Sequence, residues 1–165
     1  MNRPDPRPHL DALAAAHRDT DQPMATFRAL DDGLAASIGH ILFTVLIHHP
    51  GLRESERFYS NQPVAYPVGG RKPVTDSPWM QQIIGRGEAY LGRTRADIEW
   101  AFYDHALIVS LGCESVLNIP VRWRGQTIGT LSLLHKAHWY TEADIATATL
   151  FGHLALPAML LISRQ

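Results

Sequence analysis

Ser115-Val-Leu-Asn-Ile-Pro-Val-Arg-Trp-Arg-Gly-Gln-Thr-Ile-Gly-Thr-Leu-Ser-Leu-Leu-His135 is the stretch whose reading decides the fold. Two β-prone, largely apolar runs flank Arg124-Gly125, where glycine supplies the positive φ that a two-residue hairpin turn requires. With that turn, alternation predicts that Val116, Asn118 and Pro120 share a face with Gly129, Leu131, Leu133 and His135. Leu117, Ile119 and Val121 then share the other face with Ile128, Thr130 and Ser132.

Upstream, residues 1–8 are broken by prolines and predicted to be a disordered N-terminal segment, leaving 9–165 as a single domain. His9 to His17 and Met24 to Ile38 carry apolar residues at helical spacing. The run Ile41-Leu-Phe-Thr-Val-Leu-Ile47 is short and rich in β-branched residues, which favours a strand covered on both faces. Pro50-Gly51 turns the chain into a second strand that begins at Arg53 and ends at Tyr59. Asn61 to Val74 reads as a long, shaped loop. Thr75-Asp76-Ser77-Pro78 opens a helix that should stop at Gly85 or Gly87, followed by a short strand around Tyr90-Leu91. Asp97 to Leu111 is predicted to be one helix, and Thr141-Glu-Ala-Asp144 a capping-box variant opening the last one. Together these predict an α+β fold: a central antiparallel sheet of five to six strands, helices on one face, and loops plus short helices over the other.

Composition narrows the function classes. The chain has 165 residues, 45% of them hydrophobic and 19% charged, and a formal net charge of −1. That is a soluble globular profile with no electrostatic case for nucleic acid or membrane partners. A single cysteine, Cys113, excludes an internal disulfide framework and makes a reducing cytoplasm the expected location. The charged, proline-rich N-terminus has no apolar core of the kind a signal peptide needs. The apolar tail from Ala143 to Ile162 contains Asp144, His153 and Pro157, which favours a packing helix over a membrane span. Its apolar side chains surround the helix almost completely, so a homodimer through the N- and C-terminal helices is expected.

The hairpin resembles that of GAF domains, the small-molecule sensor modules of signalling proteins. The likeness extends over roughly residues 20–162 and rests on Leu42 to Ile47, Tyr59, Gly87, Tyr90-Leu91-Gly92 and Gly112 to Pro120. Gly125, Ile128-Gly129, Leu131 and Tyr140 to Asp144 complete it. The segment Arg57 to Pro73 is similar to that of short bacterial proteins made of this domain alone. The resemblance implies a GAF/PAS-like sheet and a small-molecule ligand held between it and the loops and helices packed on it. Output is then expected through a signalling partner protein or an altered dimer. The resemblance singles out no cofactor and no particular ligand. The alternative reading is a small cytoplasmic enzyme acting on an anionic or aromatic metabolite in the same pocket, and a third is a structural dimerisation module. The free-methionine-(R)-sulfoxide reductase branch uses catalytic cysteines in this fold. Here Val109 stands where that branch places a thiol, and a sulfenate at Cys113 would lack a resolving partner.

Candidate ligand-binding residues follow from the same reading. The resemblance turns the face bearing Asn118 and His135 toward the pocket, making the Asn118 amide an orienting group unless a neighbouring backbone satisfies it. Tyr59, Trp79, Tyr90, Trp100 and Tyr103 crowd the variable part of the fold, where amphipathic rings suit either an apolar pocket or a core under long loops. Arg71 and Lys72 are placed to clamp a carboxylate or phosphate, or else sit at a solvated loop tip. The nine histidines show no metal-binding spacing, His105 is poorly placed to pair with Asp104, and Cys113 reads as a buried thiol.

Overall fold

A computed structural model describes residues 3–163. Among these residues are six α-helices: α1 (Arg7–Ala16), α2 (Met24–Ser37), α3 (Pro78–Met80), α4 (Arg95–Ala101), α5 (His105–Ser110) and α6 (Glu142–Ser163). The strands are β1 (Leu42–His49), β2 (Glu54–Ser60), β3 (Arg71–Pro73), β4 (Tyr90–Gly92), β5 (Ser115–Trp123) and β6 (Gln126–His135). They form one antiparallel sheet in the order β3-β2-β1-β6-β5-β4.

The hairpin forms around the predicted turn, with Arg124 at φ 49° and Gly125 at φ 80°. Its register differs from strict alternation. Arg122 pairs with Thr127 but Val121 pairs with Gly129, so Ile128 is skipped and the ladder bulges. One extra residue moves every later side chain of β6 to the opposite face. Asn118 therefore stands opposite Ser132 and shares its face with Thr130 and Leu134, while Leu131 and Leu133 join Leu117 and Ile119 on the other.

That other face carries the main core. Phe43, Val45 and Ile47 from β1 and Leu117, Ile119 and Leu131 from the hairpin are buried against α2 and α6. Gly129 is required by the close packing of α6: an added Cβ would lie 2.8 Å from the Leu46 carbonyl oxygen and 2.8 Å from the Met159 sulfur. Helix α6 is long and apolar enough by composition to cross a membrane. In the structure, Ala148, Phe151, Ala155 and Met159 are buried on the sheet side, while Leu150 and Leu161 remain about half exposed on the other.

Three sequence expectations are corrected. The N-terminal segment is held over its described part: Arg3 donates to both oxygens of the buried Asp144 carboxylate and to the Trp139 carbonyl, and α1 begins at Arg7. Its Met1 and Asn2, like Arg164 and Gln165, lie outside the described residues. The long loop contains the edge strand β3, paired with β2 through Ser55 and Lys72. The single helix over 97–111 is two, broken where Phe102 is extended at φ −124°, ψ 126°. Tertiary contacts override helix propensity there, because Phe102 packs on Trp79 and Asp104 receives the Tyr66 hydroxyl.

Candidate functional site

The second face of the sheet is roofed but not filled. Alternation along the strands aims Thr44, Leu46 and His48 of β1, Ser55 and Arg57 of β2, and Ser132 and Leu134 of β6 into a cavity of about 700 Å³. Lys72 of β3 and Tyr66 of the preceding loop form one wall. The roof is Trp79 and Met80 of α3 together with Trp100, Phe102, Tyr103 and His105 of the α4–α5 cap. That volume lies within the usual range for small-molecule sites, roughly 300–1,000 Å³.

Helix α3 starts where the sequence predicts. Pro78 occupies its first turn, and Ser77 Oγ accepts from the Met80 N–H at 3.3 Å. The chain then passes through a π-helical turn, Gln81–Arg86, and stops at Gly87 with φ 67°. Trp79 is pinned beneath by its indole N–H, which donates to Asn118 Oδ1 at 3.0 Å, and Asn118 Nδ2 donates to Ser132 Oγ at 2.8 Å. The Asn118 amide is thus occupied on both atoms and lies behind Trp79 rather than on the cavity wall. It positions a roof residue.

The floor is polar but uncharged. His48 Nδ1 lies 2.6 Å from Ser55 Oγ and Nε2 lies 2.8 Å from Thr130 Oγ1, so both ring nitrogens have hydroxyl partners. Burial, with a smaller contribution from His49, pushes its pKa down to about 4, and the ring is neutral at physiological pH.

The side wall carries the charge. Arg57 is 8% exposed; its guanidinium stacks 3.7 Å from the Tyr66 ring centroid and donates from Nη1 to the Pro67 carbonyl at 2.9 Å. Lys72 Nζ lies 4.1 Å from the Tyr103 ring. Both cations stand 3.7 Å from Asp104 Oδ2, which accepts the Tyr66 hydroxyl at 2.7 Å. Burial, reinforced by Asp104, drives the Tyr66 pKa far above the ordinary phenol value, so its hydroxyl stays protonated and keeps donating. Arg57 Nε, Asp104 Oδ1 and His105 Nδ1 are buried and without hydrogen-bond partners among the described residues. Arg57 lines the side wall and His105 the roof, while Asp104 lies behind them.

Of the eight sequence-predicted site residues, Trp79, Trp100 and Tyr103 line the cavity. Tyr90 sits behind Trp100, ring centroids 5.4 Å apart, and donates to the Asp97 carbonyl. The other departures have local causes. A bulge between Val45 and Leu46 turns Tyr59 to the helix face, where its hydroxyl donates to Asp31 at 2.6 Å. Arg71 points outward at the sheet edge and pairs with Glu54 and Glu56. His135, turned over by the hairpin bulge, stacks on Trp139 at 3.8 Å. Sequence reasoning missed Arg57 and His48 as cavity residues. The period-two spacing of Ser55 and Arg57 opposite His48 was the available signal. Of the pair expected to clamp an anion, Lys72 lines the cavity and Arg71 does not.

No group of three His, Cys, Asp or Glu able to hold a metal occurs among the described residues. Cys113 is fully buried in a small core with Leu42, Ile98 and Val116, and burial raises its thiol pKa to about 11. Such a thiol stays protonated and shielded.

Residues 83–158 match the family model of the GAF domain. The fold is that of a GAF domain. The solved GAF domain of an Acinetobacter phosphoenolpyruvate-protein phosphotransferase is similar at a TM-score of 0.75 and 11% identity, over 96% of this chain and 94% of that one. The GAF domain of a two-component sensor histidine kinase from Bacillus halodurans gives 0.67 and 18%, over 84% and 95%. Free methionine-R-sulfoxide reductase from Neisseria meningitidis, solved with its substrate, gives 0.72 and 17%, over 100% and 96%. Identities this low establish a shared GAF fold. No curated protein matches the chain by sequence.

Proposed function

We propose that this GAF domain is a cytoplasmic sensor that binds a small anionic or aromatic metabolite in the cavity and signals through a partner protein or an altered homodimer. The observation that carries the reading is a roofed cavity of about 700 Å³ lined by the cations Arg57 and Lys72 beneath Trp79, Trp100, Phe102 and Tyr103. A concave site of ligand size lined by aromatic rings with a few convergent charged groups is the usual form of a small-molecule pocket. The sensor role is supported by likeness to a domain of a sensor histidine kinase. The half-exposed Leu150 and Leu161 of α6 support dimerisation through the terminal helices.

Native mass spectrometry of freshly purified protein tests the reading. A small-molecule adduct released on denaturation is the expected result. Bare chain only, together with no metabolite that raises the melting temperature, would overturn it. Sedimentation at tens of micromolar tests the dimer, and a monomer there would remove that route of output.

A further inference from the structure

We propose that the cavity selects an organic monocarboxylate with a flat, largely apolar body, and that Asp104 is the internal counter-ion with which this carboxylate competes for Arg57 and Lys72. The inference rests on the reading of the cavity as a ligand site and specifies its chemistry.

The charge follows from two cations that line the cavity, Arg57 and Lys72, and from the Asp104 carboxylate behind them. Arg57 and Lys72 converge on one oxygen of Asp104 at 3.7 Å each, beyond hydrogen-bonding distance. Arg57 Nε has no partner, and the Lys72 ammonium makes no hydrogen bond among the described residues. The donors therefore exceed the acceptors in this wall. His48 adds no charge, because burial keeps its ring neutral between two hydroxyl partners. Glu99, at the mouth, is taken up by Arg95 at 2.9 Å. Two cations against one carboxylate leave a single positive charge, which a monoanion neutralises and a dianion would overshoot. The guanidinium and ammonium are also the donors that bind a carboxylate most strongly.

The body of the ligand follows from the remaining walls. Trp79 and Phe102 pack at 5.3 Å with planes 57° apart and present ring surface inward, and Leu46, Met80 and Leu134 continue the apolar lining. At the mouth, Trp100 and Tyr103 are 54% and 75% exposed. A planar apolar group passing between them covers aromatic surface that otherwise faces water.

Isothermal titration calorimetry tests both halves, using benzoate, phenylacetate and indole-3-acetate against benzamide, phenylacetamide and indole-3-acetamide at up to millimolar concentration. At least one carboxylate should bind about tenfold more tightly than its amide, the loss expected when a charged hydrogen-bonding group is removed from such a site. Lys72→Met should reduce that carboxylate to the affinity of its amide, and Lys72→Arg should restore it. Asp104→Asn should tighten the carboxylate several-fold and leave the amide unchanged, with melting curves confirming that each variant is folded. Amides that bind as well as carboxylates would overturn the charge selection while leaving the cavity a ligand site. A carboxylate preference that persists in Lys72→Met would also overturn it. Binding by neither series would overturn the inference, and together with bare chain in native mass spectrometry it would remove the sensor reading too.

Discussion

Replacing Asn118 by alanine breaks two buried hydrogen bonds at once, those with the Trp79 indole N–H at 3.0 Å and with Ser132 Oγ at 2.8 Å. Both partners are themselves buried, Trp79 at 7% and Ser132 at 3% exposure, so water does not replace the lost amide. An unsatisfied buried donor costs about 1–3 kcal/mol. The Ser132 hydroxyl can rotate toward another acceptor, whereas the indole N–H cannot, so the sum should be about 3 kcal/mol. In a domain of this size each kcal/mol shifts the midpoint by ~2–4 °C, which places the melting temperature about 6–12 °C below that of the parent. Circular-dichroism melts measure it, and tryptophan emission reports separately whether the Trp79 environment has loosened. Trp79→Phe removes the same bond from the other side. The double variant should therefore be less destabilised than the sum of the singles by about 1 kcal/mol. A fall below ~2 °C for Asn118→Ala, or strict additivity, would refute the assignment of Asn118 as the roof's anchor.

Lowering the pH should destabilise the protein through His48. Its pKa is lower in the folded state, about 4, than in the unfolded chain, so the stability it confers is present above the unfolded value. That stability is lost as pH falls from about 6.5 toward 4, by roughly 3 kcal/mol in all; His48→Gln should flatten this window, and an unchanged slope by chemical denaturation would contradict it. Gly129→Ala forces a methyl against the Leu46 carbonyl oxygen and the Met159 sulfur and should cost about 1–3 kcal/mol, read as a lower urea midpoint. Arg3→Ala should lower stability by about 1–2 kcal/mol, because it strips the buried Asp144 carboxylate of its charged donor; an unaffected urea midpoint would mean that the segment contributes nothing.

The fold was legible because its signals are local. The Arg124-Gly125 turn, the run from Leu42 to Ile47 and the stop at Gly87 each depend on a few adjacent residues, and each appears in the structure. The site was legible only where it required ring-bearing residues in the roof, at Trp79, Trp100 and Tyr103. What failed was facing. Two bulges, at Val45/Leu46 and Val121/Arg122, turn Tyr59 and His135 away from the cavity, and a bulge arises from packing across strands that no single strand announces. The break at Phe102 was hidden for a similar reason: the residues that draw Phe102 and Asp104 out of a helix, Trp79 and Tyr66, lie more than twenty positions away. Arg57 was passed over because a charge in a strand reads as solvent-facing until its neighbours are known.

The central claim is that the cavity under the α3 and α4–α5 roof is where a ligand sits. Amide chemical-shift mapping of labelled protein, titrated with the tightest-binding carboxylate of the panel, tests it most directly. The account predicts saturable shifts concentrated in Lys72 to Met80, Trp100 to His105 and Ser132 to Leu134, with Tyr59, Arg71 and His135 little changed. Shifts clustered along α6 or at the Arg124-Gly125 hairpin tip, or no saturable shift with any member of the panel, would contradict it.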